Sequence, residues 1–231
     1  FFVLGFVTWL NGSLIPFLKL VCGLSNFQAL WVTFAFYIAY TVMALPSAAV
    51  LGRIGYKRGM SLGLAVMALG ALLFIPAAQS RHYGVFLLAL FTLASGMTLM
   101  QTAINPYIVC IGPRESAAMR ISIMGLFNKG AGIIVPLVFS ALVLSGVDQY
   151  SSASLATLDA AALESLRQEL SARLPKPYLV MAGALLLFTA IIHFSSLQEP
   201  ELDAGQEEPA RLRRGVFAFP QVVLGALALF F

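Results

Sequence analysis

Charge is scarce in this sequence. Only 10% of residues are Asp, Glu, Lys or Arg, against about 25% in a soluble domain. The net charge of +4 offers no basic field, so no nucleic-acid partner is expected. Cysteine is almost absent. Cys22 and Cys110 lie far apart, both in or at apolar segments, which argues against a disulfide framework and shows no metal-ligand spacing. The two histidines, His82 and His193, complete no metal motif. No Walker loop is present, so ATP-driven transport has no support. No nucleophile–base constellation appears either, and the chain is not expected to be an enzyme or to hold a cofactor. Phe1–Gly23 lacks a basic leader and a cleavage pattern, so it does not read as a signal peptide.

What the sequence has in excess is apolar length. Hydrophobic residues make up 60% of the chain, and the mean hydropathy is +0.90. The natural unit is therefore a membrane span of about 20 residues. Six such spans are expected, at about Phe1–Val21, Asn26–Leu51, Met60–Ala78, Gly84–Ile111, Ile121–Leu144 and Tyr178–Leu197. A short basic loop, Gly52–Gly59, joins the second to the third. The segment 147–176 differs in kind. Leu155, Leu158, Leu166, Leu170 and Leu174 recur among charged residues, and Glu169 with Arg173 makes an i, i+4 pair. It reads as a short amphipathic helix, lying at the membrane surface or capping the loop, ended by Pro175. Residues 1–197 thus form one bundle, 198–215 a charged linker, and 216–231 the start of a seventh span. The chain opens and closes inside apolar segments, as expected of a piece of a longer protein.

The basic residues orient the spans. Arg53, Lys57 and Arg58 follow the second span, Arg114 and Arg120 the fourth, and Arg211, Arg213 and Arg214 the sixth. The positive-inside rule makes those connections cytoplasmic, with the N-terminus on the same side.

Polar side chains inside the spans are the candidates for function, because hydrocarbon leaves them unsatisfied. Gln101 and Asn105 are four residues apart and share a helix face, followed by Pro106, which removes a backbone donor. Asn11 lies midway along the first span beside Gly12. Asn128 and Lys129 sit deep in the fifth; with its helix starting near Ala118, Lys129 is ~16 Å along it at about 1.5 Å per residue. No acid lies in the apolar parts of these spans to pair with Lys129, and an intramembrane ionisable residue is a functional candidate. Tyr37 and Tyr40, three apart, are candidates for lining a cavity. Trp9 does not share the face of Asn11, and packing is expected of it. Gln28 is expected to cap the second helix, and His193 to be solvated near the cytoplasmic end of the sixth span.

Several stretches carry a family likeness. They are WLNGSLIPFL (9–18), NFQALWVTFAFYIAY (26–40), QTAINPYIVCIGP (101–113) and RISIMGLFNKGAG (120–132). Together they resemble the sugar-porter branch of the major facilitator superfamily that holds the L-fucose/proton symporters and the glucose/galactose transporters, with wording closer to the latter. Gly52–Gly59 resembles that superfamily's cytoplasmic basic loop, with Gly52 near the place of its usual acid. The resemblance implies an all-α transmembrane fold, the six-helix N-terminal bundle of a twelve-helix protein with part of the seventh helix. It implies a monomeric multi-pass protein of the bacterial inner membrane that takes up neutral hexose-type sugars by alternating access. Asn11, Gln101, Asn105, Asn128 and Lys129 would bind the sugar. Two departures bear on coupling. The acid that fucose symporters carry after their Leu-Asn pair is Gly12 here, and the glutamate before their Thr-Ala-x-Asn-Pro is Gln101. Neither exchanges protons near neutral pH, so the coupling cation, Na+ or H+, stays open, with sodium the first expectation. Other readings are a carrier of another solute, such as an amino sugar, and a non-transporting sensor or scaffold with the same fold.

Overall fold

The computed structural model describes residues 1–143, 159–197, 199 and 224. It divides into two compact units, Phe1–Pro200 and Glu201–Phe231. In the second only Leu224 is described, helical and exposed. The expected linker (Glu199 apart), the seventh span and the first part of the 147–176 segment therefore lie outside the described residues.

The described residues of the first unit are almost all helical. Its elements are α1 (Phe2–Val21), α2 (Asn26–Ile54), α3 (Tyr56–Ser80), α4 (Tyr83–Cys110), a 3₁₀ turn at Arg114–Ser116, α5 (Ala117–Leu142), α6 (Ala160–Arg173) and α7 (Pro175–Phe194). Among the described residues six helices are long and apolar enough to cross a membrane, matching the six expected spans. Each of α1 to α5 carries an internal proline, Pro16, Pro46, Pro76, Pro106 and Pro136 in turn. Membrane helices tolerate these because neighbouring groups satisfy the freed carbonyls.

The centre of the bundle is the α3–α4 pair, with α7 packed on α3, α2 on α4 and α1 on α5. Small residues bring α3 and α4 together, Gly63 and Gly70 on one side and Gly96 on the other. Apolar burial gives no drive between helices in lipid, so such close backbone contact supplies the association. Aromatic rings pin the outer helices. Phe74 of α3 stacks on Tyr178 of α7 at 4.0 Å, and Phe17 of α1 meets Phe139 of α5 edge-on at 6.1 Å.

Helix ends carry the polar structure. Ser25 and Gln28 form a reciprocal capping box at the start of α2, the role expected of Gln28. At this end α6 is tied down twice. Arg167 Nε donates to the Leu20 carbonyl at 3.1 Å, and Arg81 pairs with Glu164. A helix is present at Ala160–Arg173, with Leu170 and, just after it, Leu174 buried; Leu155 and Leu158 of the expected pattern lie outside the described residues. Pro175 does not merely end it. It opens α7, whose first turn tolerates a residue without an N–H, so the sixth span begins earlier than Tyr178.

The loop expected at Gly52–Gly59 is a correction. The helices run through the basic residues and break only at Gly55, whose φ of +80° suits glycine. The exposed N-terminus of α3 is capped from far along the chain. Glu199 accepts from the backbone N–H of Tyr56 at 2.8 Å and of Lys57 at 3.0 Å, while Lys57 Nζ donates to the Ser195 carbonyl at 2.6 Å. A carboxylate at a helix N-terminus is favourable. Replacing Glu199 by Ala in the full-length protein is expected to cost ~1 kcal/mol, a value typical of a lost cap. Thermal unfolding at low and high salt checks this. An unchanged melt would mean that the contact holds nothing.

Arg120 plays the matching role at the end of α4. Its guanidinium donates to the carbonyls of Ile108 at 3.0 Å, Val109 at 2.9 Å and Pro113 at 3.1 Å, and to Ser116 Oγ at 2.6 Å. The carbonyls of Ile108 and Val109 are orphan acceptors of the last turn of α4, and the other two contacts tie the turn that follows it. Sequence reading used Arg120 only as an orientation marker.

Candidate functional site

Six of the seven singled-out polar residues lie on α2, α4 and α5, and Asn11 lies on α1. The structure gathers some of them and separates others. On α1, Leu4, Val7, Asn11, Leu14, Leu18 and Val21 are all buried and recur at spacings of three and four, one helical stripe. Asn11 is therefore part of the bundle core. Its Oδ1 has no hydrogen-bond partner among the described residues. An unsatisfied buried amide oxygen costs about 1–3 kcal/mol, so this atom marks a place where a polar partner would be welcome.

A first cluster forms where α1, α2 and α4 meet. The Tyr40 hydroxyl faces the Thr8 hydroxyl and the Gln101 amide. Thr8 Oγ1 also donates to the Leu4 carbonyl at 2.8 Å and lies 3.2 Å from the Met97 sulfur. Met97 and Gln101 are one turn apart on α4, so a single face of that helix meets both Thr8 and Tyr40. Tyr37 lies one turn before Tyr40, with ring centroids 6.3 Å apart. It is 56% exposed.

The other hydroxyls of α4 are already spoken for. Thr92, Ser95, Thr98 and Thr102 each donate to the carbonyl four residues earlier, at 2.8, 2.7, 2.9 and 2.7 Å. Threonine and serine commonly satisfy themselves this way inside a helix. The amide of Gln101 has no such local outlet. Asn105, one turn beyond Gln101 and beside Pro106, is exposed and is not brought against the other candidates.

A second cluster joins α1 to α5. Gly5 lets the helices touch: a Cβ there would lie 2.5 Å from the Asn128 carbonyl oxygen. One turn along, Trp9 covers Gly132, where a Cβ would meet the indole at 2.7 Å. Lys129 Nζ sits over the same indole, 5.4 Å from its centroid, within the range of a cation–π contact. Asn128 is half-buried beside it, and Lys129 is exposed. No Asp or Glu occurs within α1 to α5 or α7, so the ring is the neighbour that the structure gives this amine.

Thr8 and Trp9 are adjacent in α1 and belong to the two clusters, which makes one polar and aromatic tract across α1, α2, α4 and α5. Sequence reading missed both residues. Trp9 was expected to pack, yet it is 39% exposed and carries Lys129. The signal for it, a glycine opposite on another helix, is visible only once α1 and α5 are paired. The tract offers amide and hydroxyl groups that donate and accept, one amine, and aromatic faces. It holds no carboxylate and no group of three or more metal ligands among the described residues.

Comparison with known proteins shows the family of the chain. The model of the Major Facilitator Superfamily matches residues 1–231. The glucose/galactose transporter of Brucella abortus is 39% identical over 233 residues, covering 100% of this chain and 52% of that protein. The L-fucose-proton symporter of Escherichia coli K12 is 31% identical over 211 residues, covering 91% of this chain and 48% of its own. Among solved structures, the crystal structure of the transporter FucP in the outward conformation superposes with a TM-score of 0.75 at 31% identity, over 90% of this chain and 50% of that one. The chain thus spans about half the length of the relatives it matches. With six membrane-capable helices and a family model matched from end to end, this chain belongs to the Major Facilitator Superfamily.

Proposed function

We propose that this chain is the N-terminal half of a secondary transporter for neutral hexose-type sugars, working by alternating access in a bacterial inner membrane with the N-terminus in the cytoplasm. The observation that carries this reading is the tract from Gln101 and Tyr40 through Thr8 to Trp9 and Lys129. Sugar hydroxyls both donate and accept, and the Gln101 amide does the same. Sugar C–H faces suit an aromatic surface, which Trp9 and Tyr37 supply. Lys129 and Asn128 add donors from α5. The names of the relatives, glucose/galactose transporter and L-fucose-proton symporter, support the same substrate class. Asn11 holds a buried, unpartnered acceptor for a conformation in which α1 faces new neighbours. Asn105 belongs to the cytoplasmic end of the α4 face.

Coupling follows from what the tract lacks. Without a carboxylate in these spans, the proton route of a fucose-type carrier has no carrier group here. Sodium is the proposed co-substrate, and one full-length monomer the working unit.

The test is uptake of radiolabelled glucose, galactose and fucose by the full-length protein in proteoliposomes, with sodium and proton gradients imposed separately. The expected result is sugar accumulation under the sodium gradient alone. Correctly folded protein that takes up none of these sugars under either gradient would overturn the transport reading, and accumulation under the proton gradient alone would overturn the coupling. In the same assay Lys129→Met is expected to cut uptake at least tenfold, because a hydrogen bond from a charged donor contributes about 1.5–3 kcal/mol. Wild-type uptake by that variant would remove Lys129 from the site.

A further inference from the structure

Away from the polar tract, a crevice of about 740 Å³ runs between α1, α5 and α7. It exists because α7 is committed elsewhere. The Phe74–Tyr178 stack holds α7 against α3, and α1 packs on α5, which leaves a gap between the two pairs. Its walls are apolar: Phe6 and Leu10 from α1, Val138 and Leu142 from α5, Val180 and Ala184 from α7. On α1, Phe6 and Leu10 each lie about 200° from Thr8, while Phe6 lies one turn from Trp9 on a neighbouring face. Thr8, Trp9, Tyr40, Gln101 and Lys129 do not line the crevice, so it shares no lining residue with the proposed sugar site.

Its mouth is charged. Glu169, Arg173 and Lys176 line it where α6 passes into α7. Glu169 and Arg173 are paired at 2.6 Å. Lys176 is exposed and has no carboxylate partner among the described residues. Lys176 thus puts a positive charge at the first turn of a membrane span, above an apolar slot that follows α7 from Pro177 to Ala184, ~10 Å at about 1.5 Å per residue.

We infer that this crevice seats one acyl chain of an anionic phospholipid, with the phosphate at Lys176. A sugar is excluded by the walls, which give its hydroxyls no partners. A wholly apolar occupant would leave the lysine without a role, whereas an anionic headgroup matches it in sign and in depth, at the level where a span meets the interface. The lipid belongs to the leaflet on the α6 side. It fills the gap between two helix pairs and so bears on how α7 sits against α1 and α5.

The test uses the full-length protein in phosphatidylcholine nanodiscs doped with phosphatidylglycerol whose acyl chain carries a photoactivatable diazirine. The choline lipid with the same chain is the control. Labelled peptides are identified by mass spectrometry. The expected result is labelling concentrated on 138–142 and 180–184 over the exposed face of α2, stronger for the glycerol lipid. Lys176→Gln is expected to reduce that labelling about fivefold, the effect of one basic residue near a membrane surface, with unchanged thermal unfolding. Ala184→Trp, which narrows the slot, is expected to reduce labelling by both lipids. Uniform labelling of α2 and the crevice, indifference to headgroup, or labelling unaffected by Lys176→Gln would each overturn the assignment. Should Ala184→Trp fail to fold, the lysine variant and the headgroup comparison decide.

Discussion

Alanine at Gly96 is expected to destabilise the full-length protein by about 1–3 kcal/mol, the range for forcing atoms into a filled interior, and leucine there to prevent folded protein from accumulating. A Cβ at Gly96 would lie 2.5 Å from the Met67 nitrogen and 2.6 Å from the Gly63 oxygen. Both are backbone atoms, so no side chain can swing aside. The same contact is made in reverse, because a Cβ at Gly63 would meet the Met100 nitrogen at 2.8 Å and the Gly96 oxygen at 2.9 Å. Alanine must therefore move a whole helix, and α3 and α4 are the two most buried spans. Gly183 is the control. It also lies in a helix, but nothing stands within 4 Å of its would-be Cβ. There alanine removes only the flexibility of glycine and is expected to stabilise by about 0.5–1 kcal/mol. Thermal unfolding in one detergent separates the two. If both alanine variants melt together, close packing of α3 on α4 does not hold the bundle.

That contrast also explains what could be read in advance. Span lengths follow from hydropathy, so all six appear where expected, within a turn or so. The Ser25–Gln28 cap is local and was legible for the same reason. The Gly52–Gly59 loop was misjudged because charge was taken as a sign of coil. Arg53, Lys57 and Arg58 instead ride on helix ends, with a single glycine making the turn. Glu199 and Arg120 were invisible as caps because their partners lie on other elements. Trp9 shows the limit most clearly. Its own helix face suggested packing, and only its pairing with Gly132 and Lys129 gives it a place beside the polar residues. Asn11 shows the converse, since its polarity suggested the cavity while its register with Leu4, Val7 and Leu14 puts it in the core. In membrane helices, which face meets which is set by small-residue contacts between distant segments, and one sequence does not display them.

Leucine at Gln101 is expected to raise the KM for sugar about 10–100-fold, because a hydroxyl left unpaired in a closed site costs roughly 1–3 kcal/mol. Glutamate at the same position is expected to do something different in kind. Wild-type α1 to α5 and α7 contain no carboxyl group, so Gln101→Glu introduces one beside Tyr40 and Thr8 with almost no change in shape. The new side chain keeps an acceptor, exchanges the amide donor for a group that carries or releases a proton, and is expected to add a pH dependence of uptake that the wild type does not share. His82 and His193 are exposed at helix ends and are common to the two proteins, so the difference between profiles belongs to position 101. A proton gradient should then influence accumulation by the variant. Measurements of KM and of uptake against pH in proteoliposomes decide. Superimposable profiles for wild type and Gln101→Glu would place residue 101 outside the permeation path, and a wild-type KM for Gln101→Leu would do the same for the amide. If instead the leucine variant loses affinity while the glutamate variant gains pH dependence, one side chain bears both on how the sugar is held and on how uptake responds to protons.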